Sequence, residues 1–395
     1  MKVFIRQIAF LIFLILVGIQ CSSEPEAKAD AQAYQKLQAM LLDAQPGEVL
    51  SIPAGVYELD RPLSLDAIPG VTIRGAGMDK TVFSFITQEA GAEGLRITSD
   101  SITLMDFTVQ DALGDAIKFQ GCQGVTIRRV KTTWTQGAKA TNGGYGLYPV
   151  QCKNVLIDSC EASFASDAGI YVGQSQDVIV RNCYAHENVA GIEIENCINS
   201  QVYDNLAENN SGGILVFDLP DLQVVNGHHC EVFRNQILDN NHKNFAAEGN
   251  MVAIVPPGTG IILLAAKKVN VHDNRIAGHK TIGTVIASYH VTELPWKDER
   301  YDPFTYDINI HHNRYDRKSA LPDLSKDFGK MVNMLFPGKP QDILYDGILR
   351  EGATGANPMN VCVHDNQAED LRFSNVDAAH DFDQVSKDPS PYSCL

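Results

Sequence analysis

Gly169-Ile170-Tyr171-Val172, Gly191-Ile192-Glu193-Ile194 and Gly213-Ile214-Leu215-Val216 repeat one short strand at intervals of 22 and 22 residues, and Gly146-Leu147-Tyr148 stands 23 residues before the first. A period near 22 is too short for most helical repeats and marks a solenoid. Each unit offers two or three short β-branched runs separated by Asn, Gly and Ser, so each turn is built from strands. Stacked in register, such turns give parallel sheets with strands about 4.8 Å apart. The expected fold is an all-β, single-stranded parallel β-helix of roughly ten coils.

A second column supports this reading. Asn182, Asn205, Asn235, Asn274, Asn313 and Asn366 each close a strand, and three residues before each stands a β-branched residue (Ile179, Val202, Val232, Val271, Ile310, Val363). The β-branched residue should point into the coil. The Asn should sit at a bend in a left-handed conformation and bond the Asn above and below. The intervals of 23, 30, 39, 39 and 53 residues imply long insertions in the later turns. Within residues 316–355, short helices are expected around 324–335 and 343–349.

The chain has 395 residues and a formal net charge of −16, which argues against nucleic acid and against unassisted binding to a strongly anionic surface. Lys2 and Arg6 followed by the apolar run Ile8 to Ile19 read as a signal peptide over 1–20, too short for a convincing membrane span. The layout around Cys21 resembles a bacterial lipoprotein signal. Membrane attachment would then come only through a lipid on Cys21, with the protein exported to the cell envelope, facing the periplasm or the cell surface. Residues 21–31 read as a tether, 32–376 as the β-helix domain with long loops after 216, and 377–395 as a C-terminal tail. Gln32 to Leu42 reads as an amphipathic helix that caps the first coil. Cys160 and Cys183, and likewise Cys122 and Cys152, occupy equivalent places on neighbouring turns, as small core fillers. Cys362 and Cys394 are candidates for a disulfide that ties down the tail.

Pro53-Ala-Gly-Val-Tyr57 with Val71-Thr-Ile-Arg-Gly-Ala-Gly77 resembles the first coil of the pectin-lyase-like β-helix superfamily. The runs Ser166 to Gln174, Ala190 to Asn196 and Gly212 to Pro220 are similar to a family of secreted bacterial parallel β-helix repeat proteins, often lipoproteins. The resemblance spans roughly residues 35–375 and implies a right-handed helix. It implies no single activity. The superfamily holds polysaccharide lyases, hydrolases and uronate epimerases beside non-enzymes, and the narrower family is often paired with a second exported protein, in some cases cytochrome-like.

Alternation along the Gly-Ile strands places Ile170, Ile192 and Ile214 inside and their neighbours outside. One outward column reads Lys118, Tyr148, Tyr171, Glu193 and Leu215. Glu195 stands in the next, and Gln151, Gln174, Asn196 and Asp218 in a third. Tyr rings stack on pyranose faces and amides bond hydroxyls. For β-elimination or C5 epimerisation of a uronate, Lys118 would neutralise the carboxylate, Tyr148 or Tyr171 would act as base or acid, and Glu193 would tune one of them. Gln151, Gln174, Glu195, Asn196 and Asp218 are the substrate-binding candidates. The same residues on a sheet are also ordinary surface. Glu193 and Glu195 would be the pair for glycoside hydrolysis. His272, His311 and His364 each precede a column Asn by two, and read as an exposed stripe unless their coils are adjacent. Asp204-Asn205, Glu208-Asn209-Asn210, Asp239-Asn240-Asn241 and Asp273-Asn274 are turn chemistry, oxygen-rich enough to hold calcium. No metal-ligand motif stands out. Two functions remain open. One is an exported protein that binds, or binds and modifies, an acidic polysaccharide. The other is a non-catalytic envelope scaffold that docks another exported, cytochrome-like protein.

Overall fold

The computed structural model describes residues 32–317 and 320–394; the leader, Cys21 and the tether fall outside the described residues. The chain winds through eleven coils. Each coil contributes one strand to an 11-stranded parallel sheet, here called the third sheet, and most contribute two strands to a 19-stranded sheet that bends into two faces, the first and second. In one regular coil, Gln176–Arg181 lies on the first face, Tyr184–His186 on the second and Ala190–Glu195 on the third sheet. In-register pairs such as Val180 with Val202 and Ile192 with Ile214 stack coil on coil. Ile170, Ile192, Ile214, Ile261 and Ile343 are all fully buried in the central core. The helix Ala33–Leu42 buries Leu37 and Leu41 against the first coil, covering its open end.

The recurrent glycine has a steric cause. A Cβ at Gly169, Gly191 or Gly213 would lie within 2.5, 2.8 and 2.8 Å of the amide nitrogens of Asn188, Asn210 and Asn240. Those amides form a buried ladder running along the helix axis. The Nδ2 of Asn188 donates to Asn210 Oδ1 at 3.0 Å, and that of Asn210 to Asn240 Oδ1 at 2.9 Å. The asparagines occupy a bend, and the glycines leave them room.

The other asparagine column forms the expected ladder with one correction. Asn205, Asn235, Asn274, Asn313 and Asn366 bond successively through Nδ2 and Oδ1 at 3.0, 3.0, 2.9 and 3.0 Å, and each Oδ1 also accepts the backbone N–H of the preceding member. Asn182 is not a member. Cys183 holds its place, with its N–H donating to Asn205 Oδ1, and Val180 rather than Ile179 points inward. The left-handed residue is the one before each ladder position: Asn182, Asp204, Arg234, Asp273, His312 and Asp365 all have φ between 51° and 55°. The bend therefore needs two residues, one left-handed and exposed, one buried and amide-bonded. Cys160 and Cys183 fill this second place in the earlier coils. These two thiols, Cys122 and Cys152 are buried and free, and Cys362 is joined to Cys394.

The junction between the first and second faces stays two residues long from Asp158 onward, as in Arg181 to Tyr184 and His311 to Arg314. Insertions occur only on either side of the third sheet, at 218–227, 239–258, 288–305, 317–340 and 346–360. The segment 324–335 contains the helix Asp327–Leu335, as expected, whereas 343–349 is not helical: Gln341–Tyr345 is a third-sheet strand, fully buried on both sides. That double burial hides its alternation.

Replacing Asn274 by Ala removes two donated bonds and strands the N–H and amide of Asn235. The expected cost is about 2–4 kcal/mol. Asn182→Gly, which keeps the left-handed bend, should cost less than about 1 kcal/mol. Urea unfolding of both variants checks this, and equal stabilities would contradict the ladder's role.

Candidate functional site

The insertions fold over the outer face of the third sheet, which overturns the expectation that its outward columns face solvent. A second apolar cluster joins Tyr171, Leu215, Phe217, Ile262, Leu264 and Val285 of the sheet to Val252, Val255, Tyr289, Tyr301, Val332 and Phe336 of the insertions. Tyr171 is 3 % exposed and Glu193 2 %. An outward residue on a sheet is solvent-facing only where nothing lies above it, and alternation carries no information about remote loops.

Lys118, Tyr148, Tyr171 and Glu193 do occupy one outward column on four consecutive coils, as expected. Lys118 is already engaged. Its Nζ lies 3.7 Å from Glu93 Oε1, 3.9 Å from Asp115 Oδ2 and 4.8 Å from the centre of the Tyr148 ring. One coil earlier in the column, Arg96 pairs with Lys118 in the sheet and is exposed. Tyr148 is half-buried and packs with Tyr145 and Tyr171 in a triad with ring centres 4.4 to 5.0 Å apart. The Tyr171 hydroxyl donates to Glu195 Oε1 at 2.7 Å. Glu193 Oε2 is buried without a hydrogen-bond partner.

Sequence alternation missed Tyr145, Asp115, Asp167 and Arg96. Tyr145 is three residues from Tyr148, which should put it on the opposite face. A Cβ at Gly146 would fall 2.4 Å from the Gly169 carbonyl oxygen and 2.5 Å from Thr132 Oγ1, so the chain passes close to its neighbours there without a side chain. The strand bends at this point and Tyr145 joins Tyr148 on the outer face. Asp115 and Asp167 lie just before their strands and flank Gly144, whose missing side chain leaves space between them.

Burial dominates the electrostatics of this cluster. It pushes Asp115 up to about 6, against the opposing pull of Lys118. It pushes Asp167 up to about 8, with Glu195 adding to the rise, and Glu195 up to about 7 although the Tyr171 hydrogen bond opposes it. Glu193, with no bond to compensate its burial and with Asp167 and Glu195 nearby, is held well above the usual carboxylate range. The phenols move the same way, with Tyr148 reaching about 12 through burial and neighbouring carboxylates. Several acids here keep their protons near neutral pH, and the tyrosines are donors rather than bases.

Three of the proposed substrate-binding residues, Gln174, Asn196 and Asp218, are engaged by the fold, a second correction. Gln151, Gln174 and Asn196 stand at a corner with φ of 57°, 51° and 51°. Gln174 Oε1 accepts from the backbone of Gln223 and Val224, and Asn196 brackets the same loop through Leu219 and Val224. Asp218 accepts from Gly227 N at 2.9 Å and pairs with Lys267 Nζ at 2.6 Å, both side chains 2 % exposed. These residues anchor the 218–227 insertion; Gln151 shares their corner and lies outside the cleft. Glu195 alone remains in the site. The calcium candidates are spent in the same way. Asn205, Asn210, Asn240 and Asn274 belong to the ladders, Asp204 forms a two-point pair with Arg234, and Asp273 bonds His272. His272, His311 and His364 do lie on adjacent coils, as a half-buried stack 5.1 and 5.3 Å apart. Among the described residues, no group of three or more His, Cys, Asp or Glu side chains is arranged to hold a metal ion, and no helix is long and apolar enough to cross a membrane.

A family model described as the right-handed β-helix region matches residues 93–255. The chain folds as a right-handed parallel β-helix. Among solved structures it resembles the A-module of the mannuronan C-5 epimerase AlgE6 from Azotobacter vinelandii (TM-score 0.51, 14 % identity, 88 % of this chain and 92 % of that one). It resembles the Dettilon tailspike protein similarly (TM-score 0.50, 11 % identity, 80 % and 57 %). At these identities the likeness is one of fold alone. By sequence it matches the pre-neck appendage protein of Bacillus phage B103, 25 % identical over 223 residues, covering 47 % of this chain and 25 % of that one. The preneck appendage protein of phage PZA is 24 % identical over 297 residues, 65 % and 33 %. The chain thus spans a quarter to a third of the length of these relatives.

The acid cluster makes a signed prediction about stability. Asp167, Glu193 and Glu195 keep protons in the folded protein that they lose when unfolded, so between about pH 4 and pH 8 the native state binds more protons and stability falls as pH rises. The melting temperature should drop between about pH 5 and pH 8, and Asp167→Asn should flatten that slope. Parallel slopes in the two proteins would contradict the assignment.

Proposed function

We propose that the protein binds an acidic polysaccharide at the open end of the third sheet's outer face, around Arg96, Asp115 and Tyr148, and acts on it by acid–base chemistry. The observation that carries this reading is the single outward line Arg96, Lys118, Tyr148, Tyr171, Glu193, which passes from an exposed cation through stacked aromatic rings to a proton-holding acid. Arg96, exposed and at the open end, takes the role first given to Lys118 and meets a uronate carboxylate. Asp115, raised to about 6 at the mouth beside Lys118, has the affinity for protons that suits a base abstracting the proton next to that carboxylate. Tyr148, half-buried and with its proton held firmly, suits the acid. Tyr171 and Glu195, linked at 2.7 Å, stand behind Tyr148 as a positioning pair. Polysaccharide-acting and phage-appendage proteins among the neighbours are compatible with a glycan ligand. Export through the leader, with Cys21 as a lipid-bearing first residue, belongs to the same reading.

Proton NMR of alginate and pectate incubated with the protein tests it. New unsaturated or inverted uronate signals are expected, reduced at least 100-fold in rate by Asp115→Asn and at least 10-fold by Arg96→Ala, as befits a base and a carboxylate anchor. Unchanged spectra, with no retention of the protein on immobilised polyuronate, would remove this function and favour the scaffold that docks an exported protein partner.

A further inference from the structure

Further along the third sheet the character of the outer face changes. The insertions packed on the sheet leave a partly open cavity of about 820 Å³ there, above floor residues such as Phe217 and Leu264 that are each only 4 % exposed. Its floor is largely apolar: Phe217, Leu264 and Ala287 lie on successive coils, and Ile262, Val285 and Leu344 form the adjacent line. Three inter-coil steps make the floor roughly 14 Å long. One wall comes from the segments around Val255 and Val291, the other from the helix Asp327–Leu335 and the segment around Phe382. The apolar surface continues onto the rim, where Ile254, Val291 and Met334 are 49 %, 44 % and 66 % exposed. The buried polar group at the floor, Asp346, is satisfied internally, since its carboxylate accepts the N–H groups of Ser288 and Ile348 at 2.6 and 3.1 Å.

We propose that this trough is a binding site for one long acyl chain, the apolar part of a lipid or fatty acid. The volume falls in the range of small-molecule sites. A β-strand would fit by width but would bury N–H and C=O groups against walls with no free sheet edge, since the third-sheet strands on the floor already pair on both sides. A flexible hydrocarbon asks for no hydrogen bonds, and four coils of apolar floor give it length. Leu215, fully buried beside Glu193, and Phe217, buried beside Glu195, separate this site from the acid cluster. Its occupancy is therefore independent of the glycan reading.

Titration with cis-parinaric acid, a fluorescent fatty acid, followed by displacement with saturated fatty acids, tests the proposal. Saturable binding of one probe per chain is expected. Each two-carbon extension of the competitor should tighten displacement about tenfold until the trough is full. Ala287→Trp fills the floor and should weaken binding at least tenfold. Met334→Asp, at an exposed rim position that tolerates charge, should weaken it severalfold without touching the fold, and Tyr148→Ala should leave it unchanged. No saturable binding overturns the proposal, as does binding that ignores chain length or survives both cavity substitutions. Concentration-dependent dimerisation abolished by Met334→Asp would overturn it in favour of a second copy of the chain on this face.

Discussion

Every coil of this molecule depends on its neighbours for its backbone hydrogen bonds. That requirement decides where the chain is free to vary. A residue inserted inside a sheet strand would shift every inward side chain of that coil to the wrong face. The junction between the first and second faces is held by the Asn205–Asn366 ladder, whose amides bond both along the stack and to the backbone. From Asp158 onward, the extra chain among the described residues leaves beside the third sheet. Having left, it carries apolar residues of its own and buries them on the nearest unoccupied surface, the outer face of the third sheet. The asymmetry of the molecule follows, with two exposed faces and one covered.

Covering the third sheet changes what its side chains are. On an open sheet, Glu193 and Glu195 would be solvated carboxylates and Tyr171 a surface phenol. Beneath the insertions, the acids hold protons and the tyrosines stack. The column runs from the exposed Arg96 through the half-buried Tyr148 to the buried, proton-holding Glu193 over five coils, so only its Arg96 end is open to a ligand.

The fold was legible because its signals are periodic. The glycine of each Gly-Ile strand and the asparagine of each bend are forced by contacts within one coil of themselves, and their spacing shows in the chain. The one register error, Asn182 for Cys183, arose because an asparagine suits either of the two residues of the bend. The site was legible only in its column. Alternation found Lys118, Tyr148, Tyr171 and Glu193, but it could not reveal that Lys118 is tied by Glu93 and Asp115, or that Gln174, Asn196 and Asp218 bind a loop. Nor could it place Tyr145, which reaches the site through a bend at Gly146. Each of these depends on contacts between distant segments, and no local pattern encodes them.

The central claim is that the outer face of the third sheet is closed over acids that stay protonated near neutral pH. Infrared spectroscopy reads this directly, since the carbonyl stretch of a protonated carboxyl is separate from the bands of a carboxylate. A protonated-acid band that persists at neutral pH, and loses intensity in both Glu193→Gln and Asp167→Asn, is the predicted result. A spectrum at neutral pH with carboxylate bands alone, unchanged by either substitution, would mean that the face is open to water and that the site as described does not exist.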